Sequence, residues 1–136
     1  EDPEKNADTF CGWYAKIIQR LKTMQPKAKF FLMTMPRDSG DTPEQDAKKK
    51  AHAALLHEFA ALFPFTYVID LYRDAPVYDE QFQRNFFLSG HLNPAGYRFT
   101  AEITMTYIDY IIRNHPEDFT QVGFIGTGYH NCSAKW

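Results

Sequence analysis

The residue best suited to chemistry is His91, in the stretch Ser89-Gly90-His91-Leu92-Asn93-Pro94-Ala95-Gly96-Tyr97. An imidazole takes up and returns a proton near neutral pH, which is what a general base must do. His91 lies two residues before a helix cap and beside a glycine, so it is expected at a loop tip, where functional side chains concentrate. The plainer alternative is a histidine that only hydrogen-bonds its own loop.

Other side chains offer less. Ser39, in Arg37-Asp38-Ser39-Gly40-Asp41, falls at a strand-to-helix turn, the place of a nucleophile elbow, but lacks that motif. Turns favour Asp, Ser and Gly in any case. Ser89 stands two residues from His91, too close along an extended loop for a productive pair. Asp70 ends a strand and reads first as a capping or loop-tying carboxylate. Arg37 could bind an anionic group, with a surface ion pair as the simpler role.

No metal is expected. His52 and His57 are five apart on a helix, not the three or four that share a face. His130 and Cys132 make a lone pair where zinc takes three or four ligands. Cys11 opens a helix, which lowers a thiol pKa, but it falls on the apolar side. There is no glycine-rich phosphate loop.

These residues need elements to hold them. Thr9 or Asp8 caps a first helix in which Phe10, Tyr14, Ile17, Ile18, Leu21 and Met24 share a face, and Pro26 ends it. Lys29 to Met35 is apolar on both faces, as in a covered parallel strand. Thr42-Pro43-Glu44-Gln45 forms a capping box with proline at the first helical position. Ala47, Ala51, Leu55, Phe59 and Leu62 are expected to carry that helix's buried face. Phe65 to Leu71 reads as a second strand. A connection from Tyr72 to Leu92 has room for a short helix around Tyr78 to Arg84. Asn93 and Pro94 start the last helix, which Asn114-His115-Pro116 stops. A third strand would have to lie in Val122 to Ile125. Residues 117–136 read as a wrapping tail.

Strands alternating with helices mean α/β with a parallel sheet. Two strands alone do not make a stable parallel sheet. The first residue is Glu1, not methionine, so the 136 residues read as one α/β domain or the C-terminal fragment of one. Hydrophobic residues make up 44% and charged residues 24%, an ordinary globular balance. A net charge of -2 gives no pull toward nucleic acid or acidic membranes. Lys48-Lys49-Lys50 reads as a solvated helix face. No apolar run approaches the roughly 18 residues of a membrane span. Cys11 and Cys132 are too sparse for a disulfide framework, though a bridge between them is compatible with the sequence.

The segment His91-Leu92-Asn93-Pro94-Ala95-Gly96-Tyr97 resembles the C-terminal histidine block of SGNH/GDSL-type esterases and lipases, Asp-Gly-x-His-Leu-Asn-x-x-Gly. Met35-Pro36-Arg37 and Val68-Ile69-Asp70-Leu71 fit the upstream part, and the likeness spans Thr9 to about Asn114. The resemblance implies a flavodoxin-like three-layer α/β/α fold, with this chain as the C-terminal portion, and His91 as the catalytic base. Leu88 stands where the family has its acid. The imidazole must then be oriented by a backbone carbonyl or by Asp70, Asp74 or Asp79. The family's nucleophilic serine and oxyanion residues precede the matched region, so they are expected from outside this chain.

The expected function is a serine ester hydrolase to which this chain contributes the histidine half of the site. The substrate would be an acyl or acetyl ester of a small molecule or carbohydrate, with no cofactor. The N-terminal segment of the same domain, or self-association, would complete the fold. The rival is a non-catalytic α/β binding or interaction domain that keeps the scaffold.

Overall fold

A computed structural model describes residues 8–120. Helix α1, Phe10–Met24, is capped by Thr9, whose side chain accepts from the Gly12 amide. Strand β1 follows at Phe30–Met33, and helix α2 at Pro43–Leu62. The capping box forms as expected: Thr42 accepts from the Gln45 amide, and Gln45 accepts from the Thr42 amide. Strand β2, Thr66–Ile69, leads straight into a single helical turn, α3, Leu71–Asp74. Both strands are shorter than the sequence suggests, and β2 ends at Ile69 because Asp70 caps α3 and removes Leu71 from the sheet. The short helix α4 is at Glu80–Phe86. Residues expected as loop next form a small antiparallel hairpin, β3 Phe87–Leu88 and β4 His91–Leu92. Helix α5, Pro94–Asn114, starts on an Asn93 cap and ends before a 3-10 turn at Pro116–Phe119.

The chain is mixed α/β. Its larger sheet pairs β1 with β2 in parallel, from Phe30 opposite Thr66 to Met33 opposite Ile69. Among the described residues it has only these two strands. The proposed third strand, Val122 to Ile125, and Cys132 lie outside the described residues.

Alternate side chains divide the core between the two faces of the sheet, as the two-residue period of a strand requires. Leu32 and Val68 pack with Ile18 of α1 and with Leu56 and Phe59 of α2. Phe31, Tyr67 and Ile69 pack with Ile111 of α5 and with Phe119 of the 3-10 turn. Burial of Phe119 makes the start of the expected tail part of the core.

Two helix faces differ from expectation. In α2 the buried residues are Ala53, Leu56 and Phe59, while Ala47 and Ala51 are exposed and Leu62 is 75% exposed. Alanines and leucines occur all round this helix, so apolar spacing alone does not fix its inner side. In α1, Ile18 is buried, but Phe10, Ile17, Leu21 and Met24 are exposed. The two strands cover only part of its apolar surface.

Candidate functional site

Helix α5 runs opposite in direction to β2. Its C-terminal end brings His115 to 5.2 Å from Tyr67 near the start of that strand. Higher up, Tyr107 donates to Asp74, beyond the strand's end, at 2.7 Å. The N-terminus of α5 therefore projects past the C-terminal edge of the sheet, the edge where open α/β sheets bind ligands.

The hairpin carrying His91 is fastened at this end. Ser89 and Gly90 have φ of 51° and 82°. Two successive left-handed residues make the tight two-residue turn that suits the twist of a hairpin. Asn93 does three jobs. Its side chain accepts from the Gly96 amide at 2.9 Å and donates to the Asn85 carbonyl at 2.9 Å, and its own amide donates to the Phe86 carbonyl at 2.7 Å. Gly96 permits the closest approach. A Cβ there would lie 2.4 Å from the Phe86 carbonyl oxygen and 2.9 Å from Leu92 Cδ2. Thus Asn93 and Gly96 hold the hairpin to α4 and α5.

His91 is exposed, and its ring makes no hydrogen bond among the described residues. It is cross-strand partner to Leu88, which is 68% exposed. Directly opposed residues of a hairpin project from the same face. A side chain at 88 is therefore well placed to neighbour the imidazole.

The three acids expected to orient His91 are engaged elsewhere. Asp70, 5% exposed, accepts from Thr34 Oγ1 at 3.1 Å and from the Arg73 amide at 3.1 Å. His57 Nε2 lies 2.8 Å from its other oxygen, placed to donate. Thr34 in turn accepts from the Tyr72 amide at 2.8 Å. Burial pushes the Asp70 carboxyl up, but hydrogen bonds from His57, the Arg73 amide and Thr34 outweigh it and hold the group below the ordinary carboxylate range. Asp74 takes two bonds from Arg73 and one from Tyr107, and the Arg73 bonds are the main reason its carboxyl is also lowered. Asp79 caps α4 by accepting from the Phe82 amide. The expected Nδ1 acceptor for His91 is thus not found among the described residues.

Ser39 is exposed and donates to the Tyr78 carbonyl at 3.3 Å, within a turn closed by Asp38 and Asp41. That bond, with the isolated bridge between Asp38 and Tyr78, ties the loop after β1 to the entrance of α4. Neither Ser39 nor Ser89 bonds to His91. Arg37 makes no ion pair among the described residues and sits 5.9 Å from the Tyr72 ring centre. Cys11 is half-buried beside the core formed by α1 and α2. Of the basic run, Lys48 and Lys50 are exposed, with Lys48 paired to Glu44 at 2.7 Å, but Lys49 departs from the expected solvated face: its side chain is 20% exposed and pairs with Asp41, itself largely buried.

Two groupings escaped the sequence reading. The His57–Asp70 pair joins α2 to the end of β2, and no local motif announces a contact across 13 residues. His115, Glu117 and Asp118 bring potential metal-ligand atoms within 4.8 Å of one another. The first two are exposed, and Asp118 already accepts from the Tyr67 hydroxyl. An open groove of about 530 Å³ lies among Arg73, Asp74, Glu102, Ile103, Tyr107 and Tyr110. His91 does not line it, and its Arg73, Asp74 and Tyr107 are bonded to one another.

No described helix is long and apolar enough to cross a membrane. Compared with protein-family models, with curated proteins and with solved structures, the chain matches none.

Proposed function

We propose that this chain supplies the histidine half of a serine ester hydrolase of the SGNH/GDSL type, within a flavodoxin-like three-layer α/β/α domain. One observation carries the reading. In the block from His91 to Gly96, Asn93 and Gly96 are spent on fixing the hairpin, and the imidazole it carries is exposed toward the C-terminal end of the sheet. A loop held this firmly around an open base fits a group kept for an incoming proton donor.

In this mechanism His91 takes the proton of a serine hydroxyl as that oxygen attacks the ester carbonyl. It returns the proton to the alcohol oxygen as the ester C–O bond breaks. A water then repeats the sequence on the acyl-serine. The serine and the oxyanion donors come from outside the described residues. The ester would be an acyl or acetyl ester of a small molecule or carbohydrate.

A second reading, a non-catalytic α/β binding or interaction domain, has its own observation. The imidazole has no acceptor to fix its tautomer, and leucine stands beside it. The two readings part in an assay on a short-chain aryl ester. The chain is tested alone and joined to whatever the gene encodes immediately before Glu1, each beside its His91→Ala variant. The hydrolase reading expects no turnover from the chain alone. The joined protein should turn over the ester, and His91→Ala should cost it on the order of 10³-fold or more in kcat. An inactive joined protein, or one indifferent to His91→Ala, would leave the binding-domain reading standing.

A further inference from the structure

Just past α5 the chain reads His115-Pro116-Glu117-Asp118 and turns through the 3-10 segment at Pro116–Phe119. The turn gathers an imidazole and two carboxylates, with one ligand atom of each within 4.8 Å of the other two. A point within about 2.8 Å of all three atoms therefore exists, and bonds of roughly 2.0–2.2 Å to a metal ion need each to close by only about 0.6 Å. His115 and Glu117 are exposed and free to make that move.

Two features set this group apart from ordinary surface acids. The first is support from the core. Pro116 restricts the backbone between His115 and Glu117. Phe119 is buried and pins the turn against Phe31 and Tyr67. Tyr67, itself buried, packs its ring 5.2 Å from that of His115 and donates its hydroxyl to Asp118 Oδ2. That bond leaves Oδ1 open, as outer-shell donors do when they aim a ligating carboxylate. One core tyrosine thus orients two of the three groups.

The second feature is uncompensated charge. Glu117 and Asp118 follow the C-terminal end of the 21-residue α5, where the helix dipole is already negative. Arg113, the last cation of that helix, is paired with Asp109 at 2.7 Å. Lys27 and Lys29 border the same open hollow of about 580 Å³, and neither forms an ion pair with Glu117 or Asp118. Lys29 lies instead 3.7 Å from the centre of the Phe65 ring. Among the described residues, the ion-pair partner of these carboxylates is His115, 3.9 Å from Glu117, and an imidazole is a cation only when protonated.

We propose that His115, Glu117 and Asp118 bind a divalent ion of the zinc class, with water from the hollow completing its coordination. The imidazole sets the class: magnesium and calcium take oxygen ligands, whereas zinc and its neighbours accept imidazole nitrogen together with carboxylate. The ion supplies the missing positive charge and staples the turn to the end of α5. Because the ligating imidazole must be neutral, binding is lost in acid. The site lies at the opposite end of α5 from His91, so the inference does not depend on the esterase reading.

Calorimetric titration of the full 136-residue chain with zinc chloride, and separately with magnesium chloride, tests it. Zinc should bind and magnesium should not compete with it. His115→Ala should weaken zinc binding by about tenfold or more, with an unchanged circular dichroism spectrum. Tyr67→Phe keeps the ring and all three ligands but removes the bond to Asp118, and should also weaken binding about tenfold. The double variant His130→Ala, Cys132→Ala should bind zinc as the parent does. In nitrogen NMR spectra the ring of His115 should shift on zinc addition, and those of His57 and His91 should not. No binding at millimolar zinc overturns the proposal. So does zinc binding that survives His115→Ala, which assigns the ion to other ligands. Magnesium binding as tight as that of zinc also overturns it, because the imidazole is then no ligand.

Discussion

His57 and His91 both stand toward the C-terminal end of the sheet, in opposite circumstances. His57 binds a carboxylate that is 5% exposed and that also receives the Thr34 hydroxyl and the Arg73 amide. One acceptor thereby ties α2, the end of β1 and the start of α3 to the end of β2. His91 binds nothing described and sits on a hairpin whose supports are Asn93 and Gly96. A buried carboxylate with all its partners satisfied is a structural joint, and using it for chemistry would leave those partners unpaired. An open imidazole contributes little to stability and can be used without that cost.

The largest effect should come from breaking the joint. Asp70→Ala leaves a buried hydroxyl, an amide and an imidazole without their acceptor, and should cost about 2–4 kcal/mol. Urea unfolding would show a lower midpoint at unchanged slope. A loss below about 0.5 kcal/mol would mean that water replaces the carboxylate and that the joint holds nothing.

Gly96→Ala attacks the other region through its support. The new methyl meets the Phe86 carbonyl and Leu92, so hairpin and helix must part, at a cost of about 1–3 kcal/mol. Amide spectra should change from residue 86 to 93 and stay fixed around Asp70. Changes spread evenly over both regions would show that the two are not independent.

Acid gives a finer contrast. The native Asp70 carboxyl lies below its ordinary range, so its contribution is complete above the unfolded value of about 3.9 and is lost as pH falls through the lower native value. Stability measured below pH 4 should fall more steeply in the native chain than in Asp70→Asn. Equal slopes would assign the acid sensitivity to other carboxylates, with Asp74 the next to test.

The smallest effects on stability belong to the hairpin face. His91→Ala and Leu88→Asp should each change it by no more than about 0.5 kcal/mol, as exposed substitutions do. Leu88→Asp places a carboxylate across the hairpin from the imidazole. Nitrogen NMR should then show one dominant tautomer of His91 where the native chain shows an average. An unchanged tautomer ratio would mean that the two side chains do not meet.

What was legible in the sequence was what local chemistry writes. Thr9, the Thr42–Gln45 box and Asn93-Pro94 each place a helix start correctly, because a cap is made by residues three apart in the chain. Both strands are legible but shorter than read, and β2 loses its last residues because Asp70 acts as a helix cap. The hairpin was missed. Two-residue strands are too short to show alternation, and only the Ser89-Gly90 pair hinted at a turn. His91 could be picked out by its neighbours, yet its lack of an acceptor depends on where Asp70, Asp74 and Asp79 are held. The inner face of α2 and the His57–Asp70 contact are tertiary facts, fixed by what packs against a helix rather than by its own spacing.

The parallel pairing of β1 and β2 also bears on how quickly this chain folds. Residue 30 must find residue 66, and a disordered connection of that length costs roughly 3 kcal/mol in closure entropy. Helix α2 takes 20 of the intervening residues into one rod. Once the rod exists, the strands are joined by two short tethers instead of one long one. The capping box at Thr42 and Gln45 starts that rod, so it acts on the search for the partner strand as well as on the finished helix. Thr42→Ala should therefore slow refolding in stopped-flow mixing more than it speeds unfolding, marking the helix start as an early event on the route to the sheet.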